Sequence, residues 1–184
     1  MENIVFRQAT EADSLFISQG FHTAMLYDDT PEERIRLFAE KICRRDDVLY
    51  SARNTIIAEI DGKPVGMITS YDGKGYKAMR QTTMELVRQH LGIEFPGMED
   101  EAGEGEYYLD SLAVLPECRG KGIGKSLMLE AISRGHALGL PVTLVVDPAN
   151  PRAQRLYASL GFVPQRDIFI FGHNYLKMVM NVLP

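Results

Sequence analysis

The sequence predicts an α/β (α+β) fold, with strands and helices interleaved along one domain of residues 1–184. Three observations carry this. An apolar strand end, Leu112-Ala113-Val114-Leu115, runs through Pro116-Glu117-Cys118 into a glycine-rich stretch and then an amphipathic helix. A β-branched apolar run, Val142-Thr143-Leu144-Val145-Val146, reads as a strand buried on both faces, and a helix follows it. Further upstream, two strand-like stretches meet at Asp61-Gly62, a hairpin signal.

Taken in order, Ile4 to Ala9 is a short strand. Thr10 caps a helix over about Glu11 to Met25, with Leu15, Phe16 and Ile17 in its buried stripe. Tyr27-Asp28-Asp29-Thr30-Pro31 breaks it, and Thr30-Pro31-Glu32-Glu33 opens a second helix as a capping box, with Ile35, Phe38 and Ile42 on its apolar face. Thr55–Ile60 and Pro64–Ser70 are the hairpin strands. The connection from Tyr71 to Gly105 holds a helix around Lys77–Leu91, on which Met84, Val87 and Leu91 share a face. Tyr107–Val114 is a strand and Gly122–Leu138 a helix. After Val142–Val146, Asn150 is a good N-cap, Pro151 suits the first helical position, and Gly161 stops the helix. Ile168 to Val182 supplies one or two last strands.

The strand Tyr107–Val114 has a broken rhythm. Leu109, Leu112 and Val114 all read as core-facing, yet a pleated strand alternates with period two. One extra residue near Asp110-Ser111 restores the alternation, as a β-bulge does.

Composition narrows the function classes. With 20 basic and 25 acidic residues the net charge is −5, which argues against a general nucleic-acid binder. Cys43 and Cys118 match no metal spacing and no disulfide framework, so no metal is expected and reduced thiols fit a cytoplasmic chain. The start, Met1-Glu2-Asn3-Ile4-Val5-Phe6, lacks a basic region followed by an apolar core, and no apolar run approaches the length of a membrane span.

The glycine-rich stretch is Arg119-Gly120-Lys121-Gly122-Ile123-Gly124-Lys125-Ser126. A loop leading into a helix start offers unpaired backbone N–H groups, which bind phosphate. A triphosphate loop needs a glycine five residues before Gly124, where Arg119 stands. A dinucleotide fingerprint needs its third glycine at Lys125 or Leu127. Arg-x-x-Gly-x-Gly fits, at Arg119, Gly122 and Gly124. A second pattern follows one helix and one strand later, Asn150-x-x-Ala153-x-x-x-Tyr157-x-x-x-Gly161-Phe162.

Both patterns, in this order, resemble the GNAT superfamily of acyl-CoA N-acyltransferases, and the order of elements resembles the GNAT fold over nearly the whole chain. The resemblance implies a mixed, mostly antiparallel sheet of about six or seven strands, splayed at the bulged strand 107–114 and flanked by helices. It implies acetyl-CoA as co-substrate and acetyl transfer to a primary amine by direct attack in a ternary complex. Backbone groups of Leu112, Ala113 and Val114 would meet the pantetheine arm, with an N–H polarising the thioester carbonyl. The pyrophosphate would sit on Arg119, Gly120, Lys121, Gly122, Ile123, Gly124, Lys125 and Ser126. Asn150 and Ala153 would line the pantetheine path, and Tyr157 would protonate the leaving thiolate. Final strands in this family often pair across a homodimer.

Two parts of the chemistry depart from the pattern. Some members carry a glutamate four residues before the position of Leu112, and here that position is Tyr108. Glu106, Asp110 and His173 remain as candidate bases, with Asp110 nearest the bulge. The acceptor, a small-molecule or peptide amine, is read only from Tyr27 and Asp28 in the break between the first two helices, and from an aromatic wall of Tyr71, Tyr76, Tyr107 and Tyr108. The acidic run Glu94, Glu99, Asp100, Glu101, Glu104, Glu106 reads as a solvated loop. A non-catalytic acyl-CoA sensor of the same fold is the alternative function, and a nucleotide-binding module is disfavoured by the displaced glycine.

Overall fold

One sheet is built from β1 (Ile4–Gln8), β2 (Thr55–Ile60), β3 (Lys63–Asp72), β4 (Tyr107–Val114), β5 (Val142–Val146), β6 (Val163–Ile170) and β7 (His173–Met180). The computed structural model describes residues 3–25 and 32–182. The strands lie in the order β1-β2-β3-β4-β5-β7-β6, and every neighbouring pair is antiparallel except β4–β5, which is parallel. The helices are α1 (Ser14–Met25), α2 (Glu32–Cys43), α3 (Tyr76–Leu91), α4 (Ile123–Ala137) and α5 (Pro151–Leu160). Among the described residues no helix is long and apolar enough to cross a membrane.

A core lies on each face of the sheet. One joins Ile17, Phe38, Ile42, Val87 and Leu91 of the first three helices to Ile57, Met67, Tyr71 and Tyr108. The other joins Ile123, Leu127, Met128 and Ala131 of α4 to Ile56, Ile68, Leu109, Leu144 and Phe162.

The expected first helix begins instead with a 3-10 turn, Glu11–Asp13. Asp13 is turned back to accept from the Thr10 N–H at 2.7 Å and from Arg7 at 2.7 Å, which tightens that turn. Leu15 is exposed while Ile17 is buried, because three consecutive residues cannot share one helical face. The break at Tyr27–Pro31 and the Thr30 cap lie outside the described residues. The strand expected to begin at Ile168 begins at Val163. β6 is the edge strand, so Val163 to Asp167 are all exposed and carry no apolar alternation to read.

Candidate active site

The site starts from the bulge. Thr69 pairs with Ser111 and Ser70 with Leu109, so Asp110 is the extra residue on β4. The side chains then divide as the broken rhythm requires. Leu109, Leu112 and Val114 pack toward α4, while Tyr108 and Ala113 pack toward α1.

The bulge coincides with an opening in the sheet. β4 pairs with β5 only over Tyr107–Leu109, against Val142–Leu144, and the strands part beyond that point. The Leu115 N–H bonds the Val65 carbonyl on β3 at 2.9 Å. Antiparallel alternation therefore aims the N–H groups of Leu112 and Val114 away from β3, into the gap. Unpaired edge groups of this kind are a template for an extended polar ligand. At the end of β4, the Arg119 Nε donates to the Val114 carbonyl at 3.1 Å, so this guanidinium fastens the strand end instead of standing free.

The glycine-rich loop sits at that end. Gly120 and Gly122 have φ of 80° and 83°, and Gly122 is the N-cap of α4. Only glycine enters this left-handed region without strain, and a Cβ at either position would meet nothing within 4 Å, so the loop is open on its outer side. The first backbone bond of α4 runs from the Ser126 N–H to the Gly122 carbonyl, leaving the amides of Ile123, Gly124 and Lys125 as helix-start donors. A Cβ built on Gly124 would touch Val114 and Leu112 at 3.6 and 3.7 Å, which places the helix start directly over the end of β4.

Across the gap, Asn150 caps α5 by accepting the Ala153 N–H at 3.0 Å. Tyr157, two turns on, meets Phe162 edge to face with ring centroids 6.2 Å apart, and its hydroxyl has no hydrogen bond among the described residues. Burial pushes that hydroxyl's pKa up.

Between β4 and α5 lies a cavity of about 520 Å³. Of the residues singled out in the sequence, Asp110, Leu112, Asn150, Ala153 and Tyr157 line it, with Ser111, Val145, Val146 and Asp147. Glu101, Tyr50, Phe95, Phe171, His173 and Tyr175 also line it. The loop residues 119–126 stand outside, beyond the Leu112 end. Among the described residues no cluster of three or more metal-ligating side chains occurs.

Three carboxylates line this cavity, Glu101, Asp110 and Asp147, and two of them are held by tyrosine hydroxyls. Asp110 accepts from the Tyr71 hydroxyl at 2.5 Å and from the Ser111 hydroxyl at 2.7 Å. Glu101 accepts from the Tyr108 hydroxyl at 2.8 Å. Burial raises both groups; for Glu101 the negative Asp110 adds to it, and the carboxyl is pushed up to about 7 against the pull of Tyr108, Arg80 and Lys177. Burial and the nearby Asp110 charge together disfavour ionisation of Glu101.

Glu101 is the residue that sequence reasoning missed, and the acidic run is solvated only in part: Glu94, Glu99 and Glu104 are exposed, while Asp100, Glu101 and Glu106 are half-buried. The Glu101 carbonyl accepts from the Lys177 ammonium at 2.9 Å, and its N–H donates to the Tyr76 hydroxyl at 3.1 Å. Glu99 bonds β6 twice, through its N–H to the Phe169 carbonyl at 3.0 Å and through its carboxylate to the Phe169 N–H at 2.7 Å. Glu106 closes an ion pair with Lys177 at 2.7 Å, outside the cavity lining, so it is a structural partner and not a base facing the site. His173 lies at the cavity wall, stacked on Tyr175 at 4.4 Å and 3.7 Å from Asp147. The aromatic wall is corrected too: Tyr71, Tyr76, Tyr107 and Tyr108 are all buried, Tyr108 completely, and none of them lines the cavity. Tyr108 acts one step back, by holding Glu101. Tyr27 and Asp28 lie outside the described residues.

A sheet opened at its single parallel pair, with a helix-start phosphate cradle at one end and a polar cleft lined by unpaired strand amides, is the architecture of an acyl-CoA-dependent acyltransferase. Residues 21–162 match the family model described as "Acetyltransferase (GNAT) family", and the chain belongs to that family. Mycothiol acetyltransferase of Frankia casuarinae is 30% identical over 142 residues, covering 76% of this chain and 36% of that protein. The Thermobispora bispora enzyme of the same name is 48% identical over 59 residues, 32% of this chain and 19% of that protein. The chain thus spans well under half the length of the curated relatives it matches. Among solved structures, an acetyltransferase superposes with a TM-score of 0.80 at 26% identity, covering 97% of this chain and 100% of its own. An N-acetyltransferase from Staphylococcus aureus shares the fold, with a TM-score of 0.81 at 23% identity over 96% of this chain and 100% of its own.

Proposed function

We propose that the chain transfers the acetyl group of acetyl-CoA to a primary amine by direct attack, with both substrates bound in the β4–β5 gap. The observation that carries this is the coincidence of the Asp110 bulge with the point where β5 leaves β4. It frees the Leu112 and Val114 amides opposite Asn150 and Tyr157, with the Gly120–Ser126 cradle at the end of the same groove. The pyrophosphate belongs on the α4 helix start, where the dipole and the free amides favour an anion. The pantetheine amides belong on the β4 edge and beside Asn150.

An ammonium must lose a proton before it attacks. The Glu101–Asp110 pair receives that proton, with Glu101 as the member poised nearest neutrality. The Leu112 N–H stabilises the oxygen of the thioester carbonyl as it gains charge, a contribution of about 3 kcal/mol when such a donor is lost. Tyr157, which lines the cavity, donates the proton that the departing thiolate takes up and regains one from the N–H of the collapsing intermediate.

Tyr157→Phe keeps the ring on Phe162 and removes only the proton donor. Amine-dependent release of CoA, followed with a thiol reagent, should fall about 100-fold in kcat with KM for acetyl-CoA nearly unchanged. Turnover equal to the parent chain refutes the acid role. CoA binding by titration calorimetry, with no acetylation across a broad amine panel, refutes transfer itself and leaves the acyl-CoA sensor.

A further inference from the structure

The turn between β6 and β7 is built against its backbone preference. Ile170 pairs with His173, so Phe171 and Gly172 form a two-residue hairpin loop, with φ of 50° and 85°. Both central residues of such a turn need positive φ, which is why asparagine or aspartate followed by glycine is favoured there. A phenylalanine in the left-handed region is strained. Strain of this kind persists where surrounding contacts hold it and concentrates at ligand sites.

The ring of Phe171 shows what holds it. It lines the cavity, meets Phe95 edge to face at 5.1 Å and Tyr175 edge to face at 6.3 Å. Phe95 comes from the segment after α3, and Phe171 and Tyr175 from the β6–β7 hairpin, so two distant parts of the chain bring aromatic rings to one wall. Among the described residues, the charged groups lining the same cavity are Glu101, Asp110 and Asp147, with the exposed imidazole of His173 and no lysine or arginine. The cavity of about 520 Å³ must also admit the acyl end of the co-substrate, which leaves room for a compact acceptor.

We propose that Phe95, Phe171 and Tyr175 form an aromatic clamp that selects a compact primary amine with an apolar or aromatic body and no carboxylate of its own, its ammonium drawn to the carboxylates of the same cavity. This rests on the acetyl-transfer reading above and adds the class of acceptor to it. Aromatic faces and carboxylates together stabilise an alkylammonium, and the acidic wall rejects an anionic amine. Phe171 is thereby a specificity-determining residue.

The test uses the full chain, acetyl-CoA and thiol detection with 2-phenylethylamine, ethylamine, phenylalanine, spermidine and a tripeptide with phenylalanine at its N-terminus. kcat/KM for 2-phenylethylamine should exceed that for phenylalanine by about 100-fold or more, and exceed that for spermidine and the tripeptide. Phe171→Asn gives the turn a residue suited to positive φ, so this variant folds. It should raise KM for 2-phenylethylamine about tenfold and leave ethylamine within about twofold. Phenylalanine, spermidine or the tripeptide consumed as well as 2-phenylethylamine overturns the clamp while acetyl transfer stands. So does an F171N variant that impairs every amine equally. CoA release with none of the five overturns the acetyl-transfer reading beneath it.

Discussion

At the scale of single residues, Glu101 carries the sharpest expectations. Its carboxyl is raised because it is buried and because Asp110 is negative, against Tyr108, Arg80 and Lys177. As the proposed base, Glu101 must be ionised to work, so kcat/KM should rise with pH through about 7 and level off above it. Glu101→Gln should lower kcat/KM by about 10²–10⁴-fold and remove that limb of the profile. Tyr108→Phe should move the limb to higher pH, because the Tyr108 hydrogen bond stabilises the ionised carboxylate. A Y108F profile that stays in place refutes this coupling. Stability runs the opposite way. The folded state keeps a proton that the unfolded chain has lost above the ordinary carboxylate range, so stability falls as pH rises from that range through about 7 and is flat beyond. Urea unfolding of the parent chain between about pH 5 and about pH 8 should show this slope, and E101Q should flatten it.

At the scale of elements, the segment between α3 and β4 is what brings Glu101 to the cavity, and its anchor is Lys177. This side chain is 7% exposed and its Glu106 partner 15%. Removing one member of such a buried pair leaves the other charge uncompensated, and Lys177→Met should cost about 3–5 kcal/mol in urea unfolding. Replacing both, K177M with Glu106→Leu, should recover most of the loss, because it removes the stranded carboxylate. A double variant no better than the single one refutes that account. The same anchor explains what was legible in the sequence. The glycine loop and the Asn150–Phe162 helix are written in local chemistry: caps, turn glycines and a helical stripe within a few residues. The bulge was legible because Leu109 and Leu112 break period two. Glu101 was not, because its environment comes from Tyr108, from Lys177 on β7 and from the Glu99 clasp on β6, contacts up to 76 residues away in the chain. An acidic run with distant partners is indistinguishable in sequence from a solvated one. Arg119 was hidden similarly, since its bond to the Val114 carbonyl depends on the loop folding back.

At the scale of the whole molecule, the opened sheet has a mechanical consequence. Within the sheet, among the described residues, β1 to β4 and β5 to β7 are joined by three parallel pairs at the closed end of the gap. The α4 helix crosses this junction and packs on both β4 and β5. A ligand lying in the gap, with its phosphates on the α4 start and its arm between the β4 edge and α5, touches both halves in the folded state and neither in the unfolded chain. Binding must then raise stability by mass action, about 2.7 kcal/mol at a hundredfold excess over Kd. A thermal melt should therefore shift upward with CoA in a saturable way, and acetyl-CoA should do the same. ATP, which has phosphates but no arm to bridge the gap, should give a much smaller shift at equal concentration. Equal shifts with ATP would mean that the loop alone does the binding, as in a nucleotide module, and that the gap plays no part. Gly122→Ala provides the complementary check, because φ is 83° there while a Cβ would clash with nothing. Its effect is backbone strain of about 1 kcal/mol at the N-cap. It should lower the unliganded melting temperature slightly and reduce the CoA shift more, since the displaced amides are the ones proposed to hold the phosphates.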